Sequence, residues 1–307
     1  MSRVTQEGEA RKLAVGSRNP AHAGERTVEP DPNSETAMNL LQILRRILWV
    51  TTGCGLTLTP MLAQEARPFD QSHAAWSEVL RACVRDGGFD YALLKKDRTQ
   101  FDGYVLSLTR VTPQELAGWT REQRFAYWIN AYNAFTVQRV IDSYPLKSIR
   151  KLDGAFGITS VFEKPFIPLQ AHHPDGKNEE LALNDLEHKI LRVQFKDARL
   201  HAAINCASVS CPPLRNEAFV AERLDAQLEA QMKAFVNDPT RNTLDAAGKK
   251  LAVSEIFKWF EEDFERDAKS VKEYLVRFAP PATHDFIRGA KLQYLAYDWD
   301  LNDVPKK

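Results

Sequence analysis

Four side chains in this sequence have the residue types best suited to covalent chemistry: Cys206, Cys211, His188 and His201. An imidazole beside a thiol favours the nucleophilic thiolate, and a thiolate attacks acyl carbon atoms. Cys206 is therefore a candidate catalytic nucleophile with His188 or His201 as its base, which predicts amide hydrolysis or acyl or glutamyl transfer. The candidates for orienting the imidazole ring are the polar residues Asn130, Glu187 and Asn205.

Two other arrangements of the same cysteines are open. In an oxidising compartment Cys206 and Cys211 would form a disulfide that closes their loop and leaves Cys83 as an odd thiol. The two cysteines would also supply zinc ligands together with His201 and His188, but their spacing matches no standard Cys-x2-Cys framework. The sequence thus leaves a thiol enzyme and a disulfide as alternatives, and it predicts neither a metal site nor a cofactor.

Asn130 and Asn133 stand three residues apart in a segment with helical spacing, close to Trp128. Asn is a poor residue for a helix interior because its amide competes for backbone hydrogen bonds, so something must compensate for this pair. Two interpretations are open: the amides bond to buried loop backbone, or they contact a ligand. In the second interpretation the candidate binding residues are Trp128, Asn130, Asn133, Glu187, His201 and Asn205.

Helix-capping signals mark the long element that would position the asparagines. Thr112 predicts the start of one helix, and Thr120 with Gln123 predicts a capping box at the start of the next. The apolar spacing that follows predicts a long helix, which ends by Tyr144 because a proline comes next.

The cysteines and histidines are predicted to lie on a shorter helix and a strand. Asn184 with Glu187 predicts a cap for the helix. Residues Arg199 to Asn205 alternate in polarity, which predicts a strand. On an unbroken strand the side chain of His201 points away from the face that Cys206 would continue, and this geometry argues against His201 as the base.

The remaining elements indicate the fold class. The pattern predicts a helix from Ala221 to Val236, a strand from Leu251 to Val253 and a final strand from Lys291 to Trp299. Helices outnumber strands and do not alternate regularly with them, which favours an α+β fold over a doubly wound parallel sheet. We therefore expect residues 64–307 to form a single compact domain that is helix-rich, with a small, mostly antiparallel sheet.

Four motifs, in this order, resemble a known family: WINAYNAFT, LNDLEHKILR, RLHAAINCASVSCPPLR and YLAYDWDLND. The resemblance is to the domain-of-unknown-function 547 (DUF547) family, and it extends from about Phe125 to Asp303. The family name implies no activity. The resemblance does imply that the motif positions of His188 and Cys206 vary less than that of Cys211, which favours His188 over His201 as the base.

Residues 38–63 have the features of a secretory signal peptide. Arg45 and Arg46 precede an uncharged apolar run from Ile47 to Ala63, which ends in a small residue. A retained membrane anchor is the alternative, although the run is at the lower length limit for spanning a bilayer. Residues 1–37 have almost no large apolar side chains and predict a disordered extension, which lies upstream of the true start if translation begins at Met38.

The charge balance and missing motifs narrow the possible functions. The 41 basic and 41 acidic residues give zero formal net charge, and without a basic cluster we expect no nucleic-acid partner. The sequence has no glycine-rich phosphate loop and no G-x-S-x-G motif. We expect an exported, periplasmic protein that touches the membrane only through its signal segment. It would be a Cys-His hydrolase or transferase acting on peptide or envelope amides, or else a non-catalytic, disulfide-braced binding or accessory module of the envelope.

Overall fold

The structure is a computed structural model that describes residues 68–305. Its α-helices are α1 Ala74–Cys83, α2 Tyr91–Lys96, α3 Thr99–Thr109, α4 Pro113–Ala117, α5 Arg121–Ile141, α6 Arg192–Phe195, α7 Leu200–Ala203, α8 Leu224–Val236, α9 Ile256–Trp259, α10 Glu261–Ala268, α11 Val271–Phe278 and α12 His284–Gly289. A π-helix, Asp185–Leu191, leads directly into α6. The extension and signal peptide predicted for residues 1–63 lie outside the described residues.

Two small sheets accompany the helices. The strands are β1 Val84–Arg85, β2 Gly88–Phe89, β3 Thr243–Asp245, β4 Lys250–Val253 and β5 Lys291–Tyr294. β1 and β2 pair antiparallel; β3 pairs antiparallel with β4, and β4 pairs parallel with β5. The predicted α+β fold is confirmed, although the last strand is shorter than the predicted Lys291 to Trp299. Between residues 68 and 305 no helix is both long and apolar enough to cross a membrane.

Helix α5 forms the centre of the larger of two hydrophobic clusters. Its predicted capping box is present, because the Gln123 amide donates to Thr120 Oγ1 at 3.2 Å and the Thr120 amide donates to Gln123 Oε1 at 2.9 Å. Every side chain from Phe125 to Val137 is buried. A helix buried on all sides has no solvent for its polar side chains, so those side chains need partners inside the protein.

The second cluster forms around α8, β4, α10 and α11. The helix predicted from Ala221 to Val236 is present as a short 3-10 turn that leads into α8. β4 confirms the strand predicted from Leu251 to Val253. The candidate site lies where the two clusters meet, because its lining includes Ile204 of the first cluster and Ile256 of the second.

The predicted strand from Arg199 to Asn205 is wrong. Residues Leu200–Ala203 form the short helix α7, and all four of these residues are buried. Alternating polarity indicates a strand only if one face is exposed, whereas this segment is surrounded by protein. The Asp197 carbonyl accepts the Leu200 amide at 3.1 Å, and the two alanines favour the helical turn that follows.

The capping role predicted for Asn184 and Glu187 is also wrong. The Asn184 side chain makes no capping hydrogen bond. Instead the carboxylate of Asp185 accepts the Ala182 amide at 2.8 Å, and Glu187 is buried with its carboxyl directed at Tyr132. The segment winds as a π-helix, a form that often occurs at functional sites.

Candidate functional site

A pocket of about 160 Å³ brings together five of the candidate residues, Glu187, His188, His201, Cys206 and Cys211. One wall of this pocket is aromatic, and its members are Phe162, Trp259, Phe260, Tyr297 and Trp299. Titratable side chains against an apolar wall are typical of ligand pockets and active sites, because burial there shifts pKa values.

The other candidate binding residues do not line this pocket. The Asn130 side chain donates to the Phe219 carbonyl at 2.7 Å and accepts the Phe219 amide at 3.1 Å. Asn133 donates to the Ala203 carbonyl at 2.9 Å and accepts the Asn205 amide at 2.8 Å. Both amides therefore bond to buried backbone, as in the first interpretation of the sequence.

Asn205 connects the asparagine network to the cysteine loop. Its side chain donates to the Pro212 carbonyl at 2.8 Å, and its Oδ1 accepts the Ala207 amide at 2.8 Å and the Asn302 side chain at 3.2 Å. Asn133 fixes the backbone of Asn205, so helix α5 holds the loop in place through a chain of hydrogen bonds. Trp128 is buried on the same helix and packs edge-on against a neighbouring ring, that of Tyr127.

Cys206 and Cys211 are joined by a disulfide in this structure. Cys206 is half-buried, whereas Cys211 is only 2% exposed. The hydroxyl of Tyr297 lies 3.1 Å from each Sγ atom and 3.0 Å from Ser208 Oγ. Burial raises the pKa of Tyr297, so the phenol keeps its proton and is able to donate it to sulfur.

His201 is the imidazole that the structure orients. Its Nε2 lies 2.8 Å from Asp263 Oδ2, and its ring stacks on Phe260 with 3.8 Å between ring centres. The residue is 3% exposed, and this burial lowers the pKa of His201 despite the opposing effect of Asp263. A neutral ring that donates from Nε2 leaves Nδ1 as an acceptor, and Nδ1 has no hydrogen-bond partner in the described part of the chain.

Asp263 is held as a carboxylate by three cationic or donor side chains. Besides His201, Arg192 Nε donates to Oδ2 at 2.6 Å and Arg266 Nη1 donates to Oδ1 at 2.7 Å. Burial opposes ionisation, but the hydrogen bonds from His201 and Arg192 outweigh it and lower the pKa of Asp263. An ionised Asp263 fixes the tautomer of the imidazole, as the orienting carboxylate does in nucleophile–histidine–carboxylate sites.

Glu187 lies on the other side of the imidazole. Its Oε1 is 3.9 Å from His201 Nδ1, and its Oε2 accepts the Tyr132 hydroxyl at 3.3 Å. Burial raises the pKa of Glu187 to about 7, although Tyr132 and Arg192 favour the carboxylate. A carboxyl group with this pKa exchanges its proton near neutral pH, which suits a general acid or base.

His188 differs from His201 in exposure and in contacts. It is exposed, and its Nδ1 lies 3.1 Å from Arg192 Nη1. Partial burial of the ring and the charge of Arg192 lower the pKa of His188. His188 thus lines the pocket, but no carboxylate in the described part of the chain bonds to its ring.

Cys83 is the third cysteine among residues 68–305, and it does not line the pocket. Cys83 is free and buried, and this burial raises the pKa of its thiol to about 11, which leaves it unreactive. Within residues 68–305, no group of three or more His, Cys, Asp or Glu side chains is arranged to hold a metal ion.

Comparison with protein families identifies the segment that carries the site. Residues 116–236 match the family described as "Protein of unknown function, DUF547". This match places residues 116–236 in the DUF547 family. No curated protein and no solved structure matches the chain. The matched segment contains Glu187, His201 and Cys206, whereas Tyr297, which also lines the pocket, and Asp263, which bonds to His201, follow the segment in the chain.

Sequence reasoning missed several residues that form this pocket or bond to its members. Asp263 stands in a run of charged residues, so nothing in the sequence separates it from its solvent-exposed neighbours. Tyr297 and Trp299 belong to the YLAYDWDLND motif, which was a usable signal although it indicated no role for either residue. Tyr132 lies between Asn130 and Asn133, and the sequence does not predict its role because its partner Glu187 is 55 residues further along the chain.

Proposed function

We propose that the pocket is the active site of a thiol hydrolase or acyl transferase that acts on amide bonds. Cys206, once released from Cys211, would be the nucleophile, and His201 would be its base. The observation that carries the proposal is the hydrogen bond between His201 Nε2 and Asp263, because it leaves Nδ1 as an unpartnered acceptor in the pocket that Cys206 lines. The base is thus assigned to His201 rather than to His188, the base that the sequence favoured.

The chemistry follows from the protonation of these groups. In the reduced protein, Nδ1 of neutral His201 takes the proton of the Cys206 thiol, and the resulting imidazolium is stabilised by Asp263 and Glu187. The thiolate attacks the amide carbon and forms a thioester, and the leaving amine takes the proton from the imidazolium. Water then hydrolyses the thioester, or a second amine receives the acyl group. Since no hydrogen bond joins His201 to Cys206 in the described, oxidised structure, the freed Sγ must turn toward Nδ1.

The pocket and the predicted leader indicate the class of substrate. An aromatic wall and a volume of about 160 Å³ suit one side chain or a small apolar group, not a whole folded protein. We propose that the protein is exported and that its substrates are amides of peptides or of the cell envelope. Export predicts that the N-terminus of the protein recovered from outside the cytoplasm is Gln64.

Acylation of Cys206 tests the enzymatic proposal directly. The full chain is reduced, incubated with p-nitrophenyl acetate and digested, and the acetylated residue is located by mass spectrometry. We expect acetylation at Cys206 only after reduction, about 100-fold slower in His201→Asn, and slowed also in Asp263→Asn. Cys206→Ser removes the modification, and the buried Cys83 serves as an internal control in every digest.

The outcomes for the two histidines separate the candidate bases. A loss of acylation in His188→Ala that is larger than the loss in His201→Asn would assign the base to His188 and contradict the proposal. Equal rates in wild type, His188→Ala and His201→Asn would contradict base catalysis by either imidazole.

A second function is favoured by one specific observation, the disulfide itself. Because Cys206 is bonded to Cys211, the structure presents a pocket without a free thiol. In this alternative the DUF547 domain is a disulfide-braced binding module whose aromatic wall holds a ligand. The reduced protein would then show no acetylation at Cys206, and reduction would weaken ligand binding.

A further inference from the structure

The two sulfur atoms of the disulfide differ in accessibility. Cys206 is half-buried, whereas Cys211 is only 2% exposed. Thiol–disulfide exchange begins when a thiolate attacks one sulfur of the disulfide in line, so access decides which sulfur is attacked. An incoming thiolate therefore reaches Cys206, and Cys211 is the leaving group.

The surroundings of Cys211 suit a leaving thiolate. The backbone amide of Cys206 donates to Cys211 Sγ at 3.0 Å, and the hydroxyls of Ser208 and Tyr297 lie 3.3 and 3.1 Å from the same atom. Hydrogen bonds to a thiolate stabilise the charged form, and a better-stabilised leaving thiolate departs faster. The two hydroxyls lie at the same distances from Cys206 Sγ, so they are able to stabilise charge on either sulfur.

A disulfide that only braces a loop does not need this arrangement. Sulfur in a disulfide is a weak acceptor, yet two hydroxyls and one backbone amide surround this bond. Ser208 is 1% exposed and so has no solvent to bond instead. The donors become valuable when the bond opens and one sulfur becomes a thiolate.

We propose that the Cys206–Cys211 disulfide is redox-active and exchanges with a dithiol partner. The thiolate of the partner attacks Cys206 Sγ, forming a mixed disulfide and breaking the Cys206–Cys211 bond, and Cys211 leaves as a thiolate that then takes a proton. The second thiol of the partner attacks the mixed disulfide and releases the Cys206 thiol. Two electrons and two protons pass to this chain, and the partner ends as a disulfide. The inference does not rest on the proposed hydrolase, although the same reaction would release its nucleophile.

Reduction of the native chain by dithiothreitol, a small dithiol, tests the role of the donors. The free thiols are alkylated at intervals and counted by mass spectrometry. We expect the disulfide to open in the folded protein at millimolar dithiothreitol, and Tyr297→Phe to slow this opening by about tenfold. Ser208→Ala should act in the same direction. Tyr294→Phe, in the same C-terminal segment but without a contact to sulfur, is the matched control.

The regiochemistry is tested with oxidised glutathione. Cys211→Ser leaves Cys206 as the thiol and should form a mixed disulfide with glutathione, whereas Cys206→Ser should leave Cys211 unmodified in the folded protein. Equal modification of the two variants would overturn the assignment of Cys206 as the attacked sulfur. A disulfide that opens only on unfolding, or equal reduction of wild type and Tyr297→Phe, would overturn the proposal. Because neither assay uses an acyl substrate, exchange without acylation would contradict the hydrolase alone.

Discussion

Oε1 of Glu187 and Nδ1 of His201 lie 3.9 Å apart inside a buried site, with Asp263 bonded to the far side of the imidazole. Of the two carboxyl groups, Asp263 is ionised and Glu187 has a pKa raised to about 7. Near neutral pH Glu187 therefore exchanges its proton beside an imidazole whose other nitrogen is bonded to Asp263. Two carboxyl groups whose pKa values are pushed apart by their surroundings are typical of acid–base sites.

Glu187 makes stability depend on pH. Burial raises its pKa from 4.5 to about 7, so between these values the native state holds a proton that the unfolded state has lost, and stability falls as pH rises. As the pH rises from 5 to 8, we expect the free energy of unfolding of Glu187→Gln to increase by about 2 to 3 kcal/mol relative to that of the wild type. Urea denaturation at both pH values measures the difference. The exposed Glu180→Gln is the control, and parallel pH profiles for Glu187→Gln and wild type would contradict the assignment.

Asp263 makes stability depend on pH in the opposite direction to Glu187. Its pKa is below the ordinary value, so the stability from its contacts is present above pH 4 and is lost as pH falls through the native pKa. Asp263→Asn leaves Arg192 without its carboxylate and should lower the free energy of unfolding by about 2 to 4 kcal/mol at pH 7, with a smaller loss at acid pH. Denaturation at pH 7 and pH 3 checks this. Asp285→Asn, on an exposed side chain, should change little, and an equal loss at both pH values would argue against an ionised Asp263.

Asn133 should contribute to stability through two backbone partners. Asn133→Ala leaves the Ala203 carbonyl and the Asn205 amide unpaired in the core, at a cost of about 2 to 4 kcal/mol. Thr136→Val is the matched control one turn along the helix, because the Thr136 hydroxyl is buried and has no partner among residues 68–305. Chemical denaturation of both variants should show a large loss for the first and a near-neutral change for the second. Similar losses would mean that the shape of these side chains, not their hydrogen bonding, determines how much this face of the helix contributes to stability.

The disulfide closes a loop short enough that its stabilisation is modest. Five positions separate Cys206 from Cys211, so the loop-entropy relation gives about 2 kcal/mol for the bond. The double variant Cys206→Ala/Cys211→Ala should unfold at a lower urea concentration, because its free energy of unfolding is lower by this amount. Dithiothreitol should have no further effect on the variant. Cys83→Ala controls for removal of a buried sulfur outside the loop. A wild-type protein whose unfolding is insensitive to dithiothreitol would show that the bond is absent in solution or is never reduced.

Local signals were enough for the elements that depend on neighbouring residues. Thr120 and Gln123 are three residues apart, and the capping box that they form follows from that spacing alone. The deduction that Asn130 and Asn133 need compensation also follows locally, because an amide in a helix interior lacks a backbone partner. The sequence could not name Phe219 or Ala203 as the partners, since those contacts join residues 89 and 70 positions apart.

The strand predicted around His201 was wrong for a related reason. Alternating polarity over seven residues indicates a strand only when one face meets water, and burial on all sides removed that condition. The argument against His201 as the base depended on the strand and fails with it. Asp263, 62 residues further along, then orients this imidazole.

The sequence by itself determined the α+β class, the helix starts with complete capping signals and the family of the segment that contains Glu187, His201 and Cys206. These features depend on periodicity and on short motifs, which are properties of neighbouring residues. Only the tertiary structure decided which histidine has an orienting carboxylate, which cysteine is more exposed and which tyrosine contacts both sulfur atoms. Those outcomes depend on burial and on contacts between distant segments, and both arise only when the two hydrophobic clusters close around the pocket.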